Sequence, residues 1–188
     1  MARTIRTFIA VDLPDAIRHD IRTFQEPLKD TGAHVKWVRP ESMHLTLKFL
    51  GDVPEDQTDA ILLAMQGAVR KNGPFSIALS GTGGFPNLRN PRVLWIGIGH
   101  GAQELTGLSI RINEALNPLG FETDKRPYKA HLTLGRVRSQ RNIRQVTERM
   151  DDAFESDSCT VNEIILFKSD LNPTGAVYTV LGRTKLEG

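Results

Sequence analysis

The sequence predicts an α+β fold in which one structural unit occurs twice. Segments with the two-residue alternation of β-strands are interleaved with segments of helical spacing. The tetrapeptide His-Leu-Thr-Leu occurs at His44–Leu47 and again 87 residues later at His131–Leu134, and the elements around the two copies follow the same order. We therefore expect one domain over residues 1–188, with an internal repeat of approximately 1–86 and 87–188 related by a pseudo-two-fold axis.

The first unit contains two helices between short strands. Apolar residues recur at helical spacing after Pro14 until Thr31-Gly32 ends the pattern, and again from Pro54 to Asn72-Gly73-Pro74. The run Gly81–Gly84 is interpreted as a turn, because it lacks the Gly-Lys-Ser/Thr ending of a phosphate-binding loop. The strands predicted in this unit are residues 7–13, 35–38, 43–50 and 75–80.

The second unit repeats this order. Helices are predicted over the apolar spacing of Leu105–Leu116, which Asn117-Pro118 ends, and of Ile143–Met150. Residue identity between the units is low outside the tetrapeptides, so the repeat rests on the order of the elements. The strands predicted here are residues 93–98, 129–134 and 160–167, with a further strand at 177–181 that has no counterpart in the first unit.

The composition is that of an ordinary soluble globular protein. Hydrophobic residues make up 39% of the 188 residues and charged residues 24%. The net charge of +2 suits an anionic ligand but does not by itself indicate nucleic acid. Cys159 is the single cysteine, which excludes an intramolecular disulfide and a cysteine metal cage. No apolar run reaches membrane-spanning length and no signal peptide is recognisable, so we expect a cytoplasmic protein without a membrane partner.

Each tetrapeptide lies in a predicted strand and presents a histidine and a threonine together. Side chains alternate between the faces of a strand, so His44 and Thr46 share one face, as do His131 and Thr133, while the leucines take the other. With five histidines in the chain, the chance that any two share their next three residues is roughly a few in a thousand. We interpret the pairs as halves of one site rather than as strand histidines satisfied by local hydrogen bonds.

Two histidines beside two hydroxyl groups suit in-line chemistry at a phosphate. A histidine, with an ordinary pKa of about 6.5, can act as general acid or general base near neutral pH. The threonine hydroxyls, about 7 Å along the strand from their histidines, can donate hydrogen bonds to non-bridging phosphate oxygens. His-X-Thr is not a metal-ligand spacing and no nearby acidic pattern completes a coordination shell, so a metal site is not expected.

Several further stretches match one known family. They are Arg6–Ala10, Trp37-Val38, His44–Gly51, Gly84–Pro86, Val93–Trp95 and His131–Arg136. On these residues the chain resembles the 2H phosphoesterase superfamily, named for two His-X-Thr/Ser-X motifs. Within that superfamily it is most similar to the RNA 2′,3′-cyclic phosphodiesterases, historically called 2′-5′ RNA ligases.

The resemblance implies a bilobal α+β fold in which antiparallel sheets line a central groove and helices pack outside. It also implies hydrolysis of an RNA-terminal 2′,3′-cyclic phosphate to a 2′-phosphate, without metal or nucleotide cofactor. His44 would be the proton donor to the leaving 3′-oxygen and His131 the proton acceptor from water, although the residue spacing does not distinguish these roles. Arg136 corresponds to an arginine that commonly follows the second histidine by five residues, and it would contact the phosphate.

Strand alternation makes three predictions about the neighbours of the motifs. Arg136 falls on the face opposite His131, so a bulge or strand end at Gly135 must turn it toward the substrate. Lys48 shares the face of the first histidine and is expected to be exposed. Phe49 falls on the face of the leucines and is expected in the core.

Two other hypotheses stay open. The same residues could serve a 2′-5′ RNA ligase or 2′-5′ phosphodiesterase, or the chain could be a non-catalytic module that binds RNA ends or nucleotides. The expected partners are RNA ends bearing a 2′,3′-cyclic phosphate or small cyclic nucleotides, bound by a monomer because both half-sites belong to one chain. Phe8, Trp37 and Tyr128 are further candidates for stacking on a base.

Overall fold

The computed structural model describes residues 3–150, 154–172 and 175–188 of the chain. Within these ranges, four α-helices accompany nine strands. The helices are α1 (Asp15–Lys29), α2 (Thr58–Val69), α3 (Ala102–Leu116) and α4 (Ile143–Met150). The strands are β1 (Thr4–Val11), β2 (Val35–Trp37), β3 (Leu45–Pro54), β4 (Phe75–Phe85), β5 (Val93–His100), β6 (His131–Val137), β7 (Cys159–Val161), β8 (Glu163–Asn172) and β9 (Gly175–Lys185).

The strands form two antiparallel sheets, as the α+β prediction requires. The first sheet has the order β3-β1-β8-β9 and the second has the order β2-β6-β5-β4-β7. Helices α1 and α3, each of 15 residues, are separated by the same 87 residues as the two motifs. Strands β4 and β8 also correspond, but each joins the sheet that contains the motif strand of the other unit. The two lobes therefore do not coincide with the two sequence units, because the first sheet includes β8 and β9 of the second unit and the second sheet includes β2 and β4 of the first unit.

One face of each sheet packs on a shared hydrophobic core. Leu45, Leu47, Leu132 and Leu134, the leucines of the two motifs, are each at most 2% exposed and belong to a single cluster. Helix α3 packs against α2 and against β3. Because full burial of a leucine contributes about 1.5–3 kcal/mol, these leucines determine which face of each motif strand turns inward. The histidines and threonines take the opposite face.

Two secondary-structure predictions are wrong. Gly81–Gly84, interpreted as a turn, lies within β4, where Gly83 pairs with Trp95. A Cβ at Gly83 would approach the Trp95 ring to 2.1 Å, so close packing of an indole against the strand explains the glycine. The single strand predicted at 160–167 is two strands, because Asn162 separates β7 in the second sheet from β8 in the first.

Candidate active site

His44 stands just before β3 with one ring nitrogen bonded to the backbone. Its Nδ1 lies 3.1 Å from the carbonyl oxygen of Ser42. A carbonyl oxygen only accepts, so Nδ1 carries the proton and Nε2 is left to take up or deliver one. The ring stacks on Phe8 at 4.5 Å between centroids and meets Tyr178 edge-on at 5.0 Å. Aromatic side chains of the first sheet therefore hold the imidazole in place.

Arg18 of α1 fixes the segment that leads into His44. Its guanidinium donates to the carbonyl oxygens of Pro40 and Met43, at 2.5 and 3.1 Å, and also pairs with Asp12. The Arg18 side chain is only 11% exposed. These charge-assisted bonds are therefore partly shielded from water, and they stabilise the turn that precedes the first motif.

His131 begins β6 and makes the same type of backbone bond. Its Nδ1 lies 2.6 Å from the carbonyl oxygen of Lys129, so Nε2 is again the free nitrogen. Phe85 approaches the imidazole edge-on at 5.0 Å, and Nζ of Lys129 lies over the Phe85 ring, 5.7 Å from its centroid. A cavity of about 320 Å³ opens beside His131 and is also lined by Trp95. The second histidine thus has an open side where the first is packed among aromatic rings.

Thr46 and Thr133 occupy equivalent positions on the two motif strands. Thr46 pairs with Ala10 of β1, and Thr133 pairs with Trp95 of β5. Both threonines are half-buried. Alternation holds across each tetrapeptide, so the hydroxyls lie on the same side of the sheet as the histidines and can donate to an anion bound there.

Immediately after each threonine, the motif strand contains one extra residue. The register between β3 and β1 shifts at Leu47, and the register between β6 and β5 shifts at Leu134. Both irregularities are β-bulges, in which one strand carries one residue more than its partner. Because side chains alternate, each bulge moves the residues that follow to the opposite face of the sheet.

A side chain from the other unit supports each bulge. Ser109 of α3 donates to the carbonyl oxygen of Leu47 at 2.9 Å, and Gln25 of α1 donates to that of Leu134 at 3.0 Å. Both donor side chains are buried. A buried carbonyl without a donor is costly, so these bonds stabilise the bulges and connect each motif to a helix of the opposite unit.

The first bulge makes two sequence predictions wrong. Lys48, expected to be exposed, is buried, with only 4% of its surface exposed. Its Nζ donates to the carbonyl oxygen of Glu122 at 2.7 Å and pairs with Asp124 at 3.1 Å. Phe49 is not in the core but 60% exposed. It pairs with Phe8 on the face that carries the histidine, with ring centroids 5.9 Å apart.

The second bulge turns Arg136 to the face of His131, as a contact with substrate would require. Arg136 is exposed. Burial is the main cause of the lowered pKa of His131, and the Arg136 charge acts in the same direction. Burial raises the pKa of Tyr178, and the Arg136 charge opposes that rise. Since Tyr178 belongs to the first sheet and touches His44, Arg136 of the second sheet is close to both half-sites.

Burial makes the neutral form of both histidines predominant at pH 7 in the free protein. It lowers the pKa of His44 to about 4, although the backbone bond and Asp12 favour the protonated ring. Burial also lowers the pKa of His131; its backbone bond opposes this shift, whereas the charges of Arg136 and Lys129 add to it. The ordinary value assumed from the sequence therefore does not hold. An anion bound next to the rings raises both pKa values.

The other aromatic candidates are less accessible. Phe8 is 2% exposed and covered by the first histidine. Trp37 and Tyr128 are half-buried, and the Tyr128 hydroxyl has no hydrogen-bond partner among the described residues. Tyr178 and Phe85, which contact the two histidines, were not predicted as site residues. Phe85 lies in a stretch that carries the family resemblance, whereas Tyr178 lies on β9, which has no counterpart in the repeat and therefore gave no signal.

The two motif strands β3 and β6 contact each other. Their motifs carry two imidazoles and two hydroxyls, and the Arg136 guanidinium follows on β6; groups of these types suit displacement at a phosphate. In residues 3–150, 154–172 and 175–188, no group of three or more histidine, cysteine or acidic side chains is placed to hold a metal ion. No helix in the described part of the chain is long and apolar enough to cross a membrane.

The sequence of the chain matches one known protein family. Two adjoining stretches, residues 11–95 and 96–178, each match the family described as LigT like Phosphoesterase. Each stretch contains one His-Leu-Thr-Leu motif and one of the two bulges.

Curated relatives and solved structures extend over nearly the whole chain. A Methanothermobacter thermautotrophicus protein named RNA 2′,3′-cyclic phosphodiesterase is 37% identical over 177 residues, which are 93% of this chain and 95% of that protein. A Methanocaldococcus jannaschii protein of the same name is 36% identical over 182 residues, or 94% of this chain and 98% of that protein. A crystal structure of a Thermus thermophilus protein has a TM-score of 0.80 and 29% identity, covering 98% of this chain and 99% of its own. The structure of E. coli LigT complexed with 3′-AMP has a TM-score of 0.75 and 27% identity, covering 99% of this chain and 100% of its own. The chain therefore belongs to the LigT-like family of 2H phosphoesterases.

Proposed function

We propose that this chain is an RNA 2′,3′-cyclic phosphodiesterase that hydrolyses a terminal cyclic phosphate to a 2′-phosphate. The observation that carries the proposal is the matched pair His44 and His131, each with Nδ1 bonded to a carbonyl and Nε2 free for proton transfer. The hydroxyls of Thr46 and Thr133 and the guanidinium of Arg136 lie on the same faces. The names of the archaeal relatives support the substrate class.

We assign the nucleophile to His131 and the leaving group to His44. Nε2 of His131 takes a proton from water as the water oxygen attacks phosphorus. The bond from phosphorus to the 3′-oxygen breaks, and Nε2 of His44 delivers a proton to that oxygen while the 2′-oxygen keeps the phosphate. The assignment follows the family resemblance, and the open cavity beside His131 supports it by leaving room for water.

His44 lacks a proton at pH 7 in the free protein and takes one up from solvent when the anionic substrate binds. Its pKa of about 4 leaves it neutral at pH 7. The phosphate anion favours the charged imidazolium and so raises that pKa. Thr46 and Thr133 donate to the non-bridging oxygens, and Arg136 offsets their negative charge, so no metal or nucleotide cofactor is needed for charge stabilisation.

One assay tests the function most directly. We expect turnover of 2′,3′-cyclic AMP and of an oligonucleotide ending in a 2′,3′-cyclic phosphate, both in the presence of EDTA and both to the 2′-phosphate. Binding of either compound without turnover would instead support a non-catalytic module. Turnover that is lost only with EDTA would overturn the metal-independent mechanism.

The near-equivalence of the two half-sites favours a second activity on the same residues. With the same roles, a 5′-hydroxyl in place of water gives its proton to His131 and attacks phosphorus, the 3′-oxygen leaves with a proton from His44, and a 2′-5′ linkage forms. In the cleavage direction the histidines exchange roles: His44 takes the proton of the attacking 3′-hydroxyl, and His131 protonates the leaving 5′-oxygen. Incubation with a 2′-5′-linked dinucleotide measures this activity beside the first. We propose that residues 1–188 act in either case as one bilobal unit and as a monomer, because both half-sites come from a single chain. We also propose that the protein is cytoplasmic.

A further inference from the structure

Three cationic side chains lie together on the face of the second sheet that carries His131. The second bulge places Arg136 on this face, and Lys36 of β2 pairs directly with Arg136. The backbone N–H of Arg138 donates to the carbonyl oxygen of His34 at 2.8 Å, so the pairing with β2 continues to this residue. Alternation therefore places Arg138 on the same face as Arg136. We call Lys36, Arg136 and Arg138 the cationic row.

The charges of the cationic row are not neutralised by the fold. All three side chains are exposed. Within residues 3–150, 154–172 and 175–188, none of the three forms a salt bridge. Lys36 lies directly opposite Arg136 across two antiparallel strands, and like charges in such a pair destabilise a sheet. A bound anion would relieve this repulsion.

The repeated backbone does not require these cations. The equivalent positions of the first motif strand, 87 residues earlier than the two arginines of the row, hold Phe49 and Gly51, which are uncharged. The residue that follows there, Asp52, pairs with Arg6 of β1, a cross-strand pair of opposite charges. The cationic row is therefore a property of the second strand alone and calls for an explanation other than the fold.

The row begins at the reacting group and continues away from it. The charge of Arg136 acts on both His131 and Tyr178, which belong to different half-sites. Alternate residues of a strand are about 7 Å apart, a separation close to that of neighbouring phosphates along an RNA chain. While Arg136 holds the reacting phosphate, Lys36 and Arg138 are therefore placed to contact a neighbouring one.

We propose that Lys36 and Arg138 bind the phosphodiester backbone of the RNA upstream of its 2′,3′-cyclic end. This rests on the proposed function, in which Arg136 contacts the reacting phosphate. Lysine and arginine contacts to phosphate position an RNA without reading its sequence. A mononucleotide such as 2′,3′-cyclic AMP has no second phosphate for these two side chains. The row thus favours an RNA end over a small cyclic nucleotide, whatever the bases.

Comparison of a long with a short substrate separates this role from a role in the reaction. The double variant Lys36→Gln/Arg138→Gln should lower kcat/KM for a single-stranded oligonucleotide ending in a 2′,3′-cyclic phosphate by about 10-fold at low ionic strength, the order expected for two exposed phosphate contacts. It should hydrolyse 2′,3′-cyclic AMP at the wild-type rate. The slope of log kcat/KM against log salt concentration for the oligonucleotide should become shallower by about 1.4, since each contact to a single strand contributes about 0.7.

The matched control removes two cations elsewhere on the surface. Arg70 and Lys71 follow α2, are both exposed and form no salt bridge within the described part of the chain. Arg70→Gln/Lys71→Gln makes the same change in net charge and should alter neither substrate. An equal loss on the oligonucleotide in this control would show that overall charge, and not the cationic row, attracts the RNA.

Binding and stability measurements keep the test independent of turnover. The Lys36→Gln/Arg138→Gln variant should be at least as stable as the wild type in urea, because it removes a pair of like charges. By calorimetry it should bind an oligonucleotide ending in a 2′-phosphate more weakly and adenosine 2′-phosphate as well as the wild type does. Equal losses on the long and short compounds, or no loss on either, would overturn the proposal. Absence of wild-type turnover together with a binding loss confined to the oligonucleotide would refute the proposed function and leave the role of the cationic row intact.

Discussion

The half-sites of His44 and His131 start from the same four residues and end in different environments. In both, Nδ1 is bonded to the carbonyl oxygen two residues earlier, at 3.1 and 2.6 Å, and the following leucines are buried. The first imidazole packs on Phe8 and Tyr178. The second has the edge of Phe85 on one side, an open cavity beside it and two cationic side chains nearby. The duplicated motif thus determines the chemical groups but not their electrostatic setting.

Strands outside the motifs produce this difference. Tyr178 lies on β9, a strand of the second unit that has no counterpart in the first unit, and Phe85 ends β4, which crosses from the first unit into the second sheet. An acid and a base must differ in proton affinity at the moment of reaction. Here two identical tetrapeptides acquire different environments from strands that are not equivalent.

The two bulges show the same division between common backbone and different side chains. Each follows the threonine and is supported by a buried side chain from the opposite unit. After the bulge, the first strand buries Lys48 and exposes Phe49, whereas the second buries Gly135 and exposes Arg136. A Cβ at Gly135 would come within 2.6 Å of the Val35 side chain, so close packing of β2 favours glycine there. One backbone device therefore presents an apolar ring on one side and a cation on the other.

The largest expected effect comes from removing either imidazole. His44→Ala and His131→Ala should each lower kcat by about 10²–10⁴-fold on 2′,3′-cyclic AMP, because each removes one proton-transfer group. The double variant should be little worse than the singles, since the two groups act in one step. His19→Ala changes an exposed histidine of α1 and should keep the wild-type rate. If one of the two motif variants retains near-normal kcat, the half-sites are not partners in one reaction.

The sequence was sufficient to predict the elements that repeat. Helical spacing and strand alternation indicated the α+β class, and the 87-residue offset related α1 to α3. Alternation within four residues correctly grouped the histidines with the threonines, because burial of the leucines enforces it. The crossing of β4 and β8 between sheets was not predictable, since strand pairing depends on contacts far apart in the chain.

The predictions for Lys48 and Phe49 failed at the same physical point. Alternation was carried through Leu47 as if the strand were regular, whereas Ser109, 62 residues away, stabilises a bulge there. The signal that could have corrected this was present. Arg136 was expected to need a bulge, and the 87-residue offset places Phe49 at its equivalent position, so the same reasoning applies to the first strand.

The pH dependence of stability should differ between the two half-sites. The pKa of His44 is about 4 in the folded protein and about 6.5 in an unfolded chain. Between these values the unfolded chain binds more protons, so the free energy of unfolding falls as the pH is lowered from about 6.5 to about 4. One pKa unit corresponds to about 1.4 kcal/mol, and we expect His44 to account for about 1–3 kcal/mol of the loss, measured by urea denaturation from pH 7 to pH 4.

Glutamine variants separate the contributions of the two histidines. His44→Gln should flatten the pH dependence more than His131→Gln, because the first ring is packed among Phe8 and Tyr178 and the second borders a cavity. Equal slopes for wild type and His44→Gln would show that burial of this ring does not lower its pKa. If His131→Gln flattened the pH dependence of the free energy of unfolding more than His44→Gln, burial would affect the second imidazole more strongly than the first.

The smallest effects should come from the side chains that support the bulges, and they should differ in kind. Ser109→Ala removes the side-chain donor to the buried Leu47 carbonyl, at a cost of about 1 kcal/mol in the free energy of unfolding. Gln25→Met should cost no more than this, because the Leu134 carbonyl still accepts from the backbone N–H of Val38 at 2.9 Å. Thr106→Ala is the control, because that hydroxyl only bonds a carbonyl within α3.

The affinities of the two variants for adenosine 2′-phosphate and ribose 2-phosphate distinguish the two bulges. Ser109→Ala disturbs the bulge that turns Phe49 outward and should weaken adenosine 2′-phosphate more than ribose 2-phosphate, because the exposed Phe49 ring beside the site offers an aromatic face to a base. Gln25→Met disturbs the bulge that presents Arg136 and should weaken both compounds equally, since they share the phosphate. If the two variants shift the two affinities in the same proportion, the bulges act on stability alone. The pattern of loss across the two ligands therefore tests whether a repeated backbone feature has acquired two separate uses.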